Sequence, residues 1–152
     1  MNIVSVNAYT KAVVKQLRNH PLTQGIDISR SEEINTLPNR CPWIGVYRSG
    51  VQYPVRVLGN QGGSRYQYVD LILVCQQVNY NSGAECEDAM EQMIADVIAA
   101  LWDNQSLKDN DQAPGLCDVL DKLEVMYTKY VKEQNAYMQT AMIYVTALSR
   151  TN

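Results

Sequence analysis

The chain has no phenylalanine, a single histidine, two tryptophans and no CxxC pair among its four cysteines. Each shortage removes a class of chemistry. His20 is the only imidazole, next to Pro21 and far along the chain from every cysteine, so a Ser–His or Cys–His nucleophilic pair has no evident base. A zinc site needs several His or Cys ligands that converge, and one His with Cys41, Cys75, Cys86 and Cys117 scattered along the chain offers no recognised spacing. In their apolar or mixed surroundings the cysteines are expected to be buried free thiols. No segment approaches the roughly 20 apolar residues that cross a bilayer, and no N-terminal stretch joins a basic start to an apolar run of about 7–15 residues. The expectation is a chain made in the cytoplasm, with no membrane partner. Gly59-Asn60-Gln61-Gly62-Gly63-Ser64 is glycine-rich, yet it fits neither phosphate-binding glycine pattern, and a strand follows it where a phosphate loop would open a helix. The reading assigns no catalytic residue, no cofactor and no metal ligand.

What is present is an ordinary globular composition with one bias. Hydrophobic residues make up 46% and charged residues 19% of 152 residues, which suits one domain with a single core and leaves too little material for a second. Tyrosine, at 10 copies, supplies nearly all the aromatic surface. Its apolar ring and polar tip suit half-buried positions and interfaces, although strand propensity alone also favours it.

Charge is divided along the chain. Residues 1–60 hold seven Lys/Arg and three Asp/Glu, a balance of 7 − 3 = +4, and residues 61–152 hold six against thirteen, 6 − 13 = −7. Such a split can be neutralised within one fold, can pair one subunit with the next, or can mark separate contact faces. An isoelectric point near 5.1 and the lack of a dense Lys/Arg stripe exclude a tightly held, sequence-specific nucleic acid partner.

Hydrophobic periodicity predicts an amphipathic helix from about Val4 to Arg18, ended by His20-Pro21, and a short strand at Ile26-Asp27-Ile28. Trp43 to Tyr47 reads as a strand closed by Ser49-Gly50. Residues 50–64, with Pro54 and the glycines, read as a long mobile hairpin arm. Tyr66 to Val78 carries apolar residues on both faces over its centre and predicts a central strand. Ser82-Gly83-Ala84-Glu85 fits a capping box that opens a helix ending near Trp102-Asp103. Its acidic start (Glu85, Glu87, Asp88, Glu91) could be carboxylates for acid–base or metal work, but capping, the helix dipole and a solvated face explain it more simply. Residues 103–118 read as an acidic surface loop, and 123–128 with 137–148 as a long antiparallel hairpin about a polar turn at 132–135. The predicted fold is a segregated α+β domain with a mostly antiparallel sheet.

This order of elements resembles the tail terminator, or tail completion, proteins of long-tailed bacteriophages. The features that carry the resemblance are Cys41-Pro42-Trp43-Ile44-Gly45-Val46-Tyr47, the long arm, Tyr68-Val69-Asp70-Leu71-Ile72-Leu73-Val74, the acidic-capped helix from Ala84 to Leu101, and the closing Met142-Ile143-Tyr144-Val145-Thr146-Ala147-Leu148. The resemblance implies a ring, usually of six copies, that caps the tail tube, stops its growth and meets the head–tail connector, with a lumen through which DNA can pass. It implies a place in the virion neck, after assembly in the host cytoplasm. It brings no catalytic residues. Another neck adaptor is the near alternative; a small binding module or a hydrolase with a carboxylate site is the alternative of a different class. The opposite charges suggest how copies would meet: Arg48, Arg56 and Arg65, which bracket the arm, would reach Glu85, Glu87, Asp88 and Glu91 of a neighbour.

Overall fold

A computed structural model of the protein describes residues 5–53, 65–110, 112, 114–133 and 135–151. The first element is α1 (Val6–Asn19), whose buried face is Tyr9, Val13, Val14 and Leu17 while Lys11, Lys15 and Arg18 stay exposed. The expected start at Val4 lies outside the described residues. The helix stops at His20, held in an extended conformation by the ring of Pro21 (ψ 136°). A tight turn at Pro21–Thr23 leads into β1 (Asp27–Arg30).

The remaining elements are β2 (Trp43–Gln52), β3 (Arg65–Asn79), α2 (Gly83–Trp102), β4 (Val119–Tyr127), β5 (Val131–Glu133) and β6 (Ala136–Thr151). The strands form one six-stranded sheet in the order β1-β2-β3-β6-β4, with β5 also on β6. Only β1 and β2 pair in parallel; every other pairing is antiparallel. Both helices pack on one face, so the fold is the α+β arrangement expected from the sequence, two helices on a mostly antiparallel sheet.

The core lies between that sheet face and the helices. Val69, Leu71, Leu73 and Cys75 of β3 point into it, beside Ile143 and Val145 of β6, against Met90, Ile94, Val97 and Leu101 of α2. Removing a side chain of this size from water contributes about 1.5–3 kcal/mol, so these positions dominate the stability. β3 is the middle strand, as its two-sided apolar pattern predicts. Its other face is covered only toward the C-terminal end, where Val74 and Gln76 are buried. There the 31–41 connection crosses the sheet, with Gln76 Nε2 donating to Asn35 O at 2.8 Å and the Tyr47 hydroxyl donating to Glu32 O.

Four expectations need correction. The strand at Trp43 does not close at Ser49-Gly50; it passes through a bulge between Arg48 and Gly50 and keeps pairing with β3 as far as Gln52. Residues 50–52 of the expected arm are therefore strand, and residues 54–64 lie outside the described residues. The capping box is only half realised: Ser82 Oγ accepts the Glu85 N–H at 3.1 Å, but the N–H of Ser82 goes to Asn79 Oδ1 at 3.0 Å, and Glu85 instead accepts from the Asn81 side chain at 3.1 Å. The 103–118 segment is not purely surface, since Leu107 and Cys117 are buried in the core. Finally, Lys132 and Glu133 of the polar turn expected at 132–135 are strand, paired with Tyr137 and Ala136.

Candidate interaction surface

The charged residues singled out in the sequence fall into two groups. Glu85, Glu87, Asp88 and Glu91 are all exposed on the outer side of α2's first half. None forms an ion pair among the described residues. The negative ridge extends its influence to the neighbouring edge strand: burial, with the Glu91 charge next in size, pushes the Tyr127 phenol above its ordinary value. Arg48 is exposed on β2 at the bulge. Arg56 lies outside the described residues, and Arg65 is the first residue of β3, with its side chain undescribed. The structure thus brings the four carboxylates together and locates one of the three arginines.

A second charged surface was missed from sequence because its members come from three separate segments. Lys11, Lys15 and Arg18 stand on the exposed side of α1; Arg30 from the end of β1 joins them across a cleft of about 270 Å³ floored by Val14. On the other flank of the helix a groove of about 440 Å³ runs between Ala8, Ala12, Leu107 and Leu116, with Lys108 adding to the rim. Arg18 is fixed by donating through Nε and Nη2 to Ile28 O, at 3.2 and 2.7 Å, which positions its charge without neutralising it. Lys15 pairs with Asp109. Lys11 and Arg30 have no ion pair among the described residues.

The third surface is the sheet face away from the helices. Cross-strand partners share a face, so Tyr68, Asp70 and Ile72 of β3 lie beside Leu148, Thr146 and Tyr144 of β6, and Met142 of β6 beside Met126 of β4. All of these are half-exposed apart from Met126, which is exposed. Asp70 accepts from the Thr146 hydroxyl at 2.7 Å, and Lys122 and Glu124 of β4, across from Thr146 and Tyr144 on the same face, pair with each other at 3.2 Å. Alternation alone placed these side chains on one face of their strands, but only the pairing register shows that they form a single patch.

Among the described residues, no group of three or more His, Cys, Asp or Glu side chains is arranged to hold a metal ion. His20 has both ring nitrogens engaged in structure. Nδ1 accepts the N–H of Leu22 at 3.2 Å and Nε2 lies 2.6 Å from Asp103 Oδ2, so the ring has no nitrogen left to accept a nucleophile's proton. The thiols are held protonated, chiefly by burial: Cys41 is pushed up to about 11, and Cys75 and Cys117 to about 12. No described helix is long and apolar enough to cross a membrane. Compared with protein-family models and with curated proteins, the chain matches none.

Proposed function

We propose that the chain is a structural, ring-forming protein of a phage tail end, which caps the tail tube and meets the head–tail connector through its surfaces. The observation that supports this reading most is the helix-free sheet face. It presents Tyr68, Ile72, Met142 and Tyr144 as one contiguous, half-exposed patch on a rigid sheet, with the aromatic and Met character of a protein interface. In this reading the patch meets other subunits or the tube and connector proteins, and no cofactor takes part.

Light scattering after size exclusion, together with images of the purified particle, tests the proposal. A closed ring with a central hole, of about six copies, is the expected result. A monomer at every concentration up to the millimolar range, alone and with a tail tube protein, would sink it.

A further inference from the structure

Among the described residues, the helical layer carries a basic surface on α1 and an acidic ridge on α2, largely without ion pairs. The His20–Asp103 contact and the bond from Gln16 Nε2 to Ala100 O place the C-terminal ends of α1 and α2 together. The acidic half of α2 lies at the other end, where Cys86 donates to the carbonyls of Gln77 and Tyr137. At 1.5 Å per residue, Gly83 and Ala100 are roughly 25 Å apart along the helix. Along the helix the ridge lies roughly 14 Å (Glu91) to 23 Å (Glu85) from Ala100, and among the described residues no ion pair joins it to the basic surface of α1. The ion pairs that do link the two oppositely charged parts of the sequence, among the described residues, are Lys15–Asp109 and His20–Asp103, and neither touches the ridge.

From this separation we propose that the basic surface of α1, formed by Lys11, Arg18 and Arg30, receives the acidic first half of α2 from a second copy of this chain. The inference rests on the self-assembly reading above and names one of its contacts. The two surfaces differ, so the contact is heterologous: each copy offers its α2 ridge to one neighbour and its α1 cleft to the other, and the arrangement closes into a ring when the rotation allows. Shape agrees with charge. The ridge is a bare helix side with Ala84 and Ala95 exposed among the acids, and α1 is flanked by two clefts that can take a ridge alongside it. The pre-set Arg18 guanidinium lowers the conformational cost of pairing. In place of the arm, whose Arg56 lies outside the described residues, the helical layer itself supplies a defined basic receptor for the same four carboxylates.

The test uses the full chain and two double reversals, Lys11→Glu with Arg30→Glu on the α1 surface and Glu87→Lys with Glu91→Lys on the α2 ridge. All these side chains are exposed, so circular dichroism and melting should show both variants folded. Each variant alone should self-associate about tenfold or more weakly than the parent at low salt, since attraction becomes repulsion. An equimolar mixture should recover the parent's association, because both kinds of contact in an alternating ring are then oppositely charged. Arg48→Glu should leave association unchanged. The contact is overturned if either reversal leaves association intact, if the mixture fails to recover, or if Arg48→Glu weakens it as much as the reversals do. It is also overturned if the α1 reversal only abolishes binding to a duplex DNA probe, which would make that surface a phosphate contact. A parent that forms rings, with variants that form them equally well, overturns this contact alone. A parent that never self-associates overturns the ring reading together with it.

Discussion

His20 joins the ends of the two helices, with Nε2 lying 2.6 Å from Asp103 Oδ2 at the C-cap of α2 while Nδ1 accepts the N–H of Leu22 in the turn that follows α1. A ring that accepts at Nδ1 carries its proton on Nε2, and that proton points at the carboxylate. The only histidine of the chain is thus a clip. Asp103 is largely exposed, so most of the stabilisation comes from the backbone cap and only a small part from the charge. His20→Ala should cost about 1–2 kcal/mol, lowering the melting temperature by roughly 2–6 °C, and should leave the self-association constant unchanged. His20→Asn, which keeps a short cap acceptor, should recover part of the loss. An unchanged melting temperature in the alanine variant would contradict this role.

The start of α2 divides its orphan amides between two side chains. Asn79 Oδ1 accepts the N–H groups of Asn81 and Ser82, at 2.7 and 3.0 Å, and Ser82 Oγ accepts that of Glu85 at 3.1 Å. Asn79→Ala and Ser82→Ala should each cost about 1 kcal/mol in chemical denaturation, and Glu85→Gln distinctly less. A sequence-level capping box predicts the reverse order for Asn79 and Glu85, so the comparison separates the two accounts.

The thiols set an alkaline limit. In the unfolded chain they ionise near 9.0, whereas burial holds Cys41 protonated to about 11 and Cys75 and Cys117 to about 12. A proton held more tightly by the native state stabilises it fully below the unfolded value, and that advantage is lost as pH rises from about 9 towards 12. The melting temperature should therefore fall as pH rises from 9 to 10.5, less steeply in Cys75→Ala once its own packing loss is subtracted. At pH 7.5 native thiols should react slowly with iodoacetamide, with half-buried Cys41 first. Rapid modification of Cys75 in the folded protein would contradict the burial argument.

On the helix-free sheet face, Tyr144 and Ile72 are directly paired across β6 and β3. Both are half-exposed, so Tyr144→Ser with Ile72→Thr keeps strand-compatible side chains while stripping apolar surface. The variant should melt within about 5 °C of the parent but show weaker assembly, or weaker binding to a tail tube protein. Normal assembly and normal binding in a folded variant would remove this face from the proposed function.

Much of the molecule follows from local rules. The period of Tyr9, Val13 and Leu17 makes α1, Pro21 ends it, the stripe from Cys86 to Leu101 makes α2, and two-sided apolarity puts β3 in the middle of the sheet; each acts within a few residues and is visible in one dimension. The acidic ridge was legible for the same reason, being one face of one helix.

Long-range pairing decided the rest. Asn79 captures the amide that Glu85 was expected to take because the end of β3 delivers it to the start of α2. Leu107 and Cys117 enter the core because their loop crosses beneath α1, where Tyr9 bonds the Leu116 carbonyl. The basic surface exists only where α1 and the end of β1 converge, and the Tyr–Ile–Met patch only in the β3–β6–β4 register. Composition supplied the charges and the tyrosines. Which of them face the same way was settled by strand order and register, since contacts between residues distant in sequence leave no periodic trace in the chain.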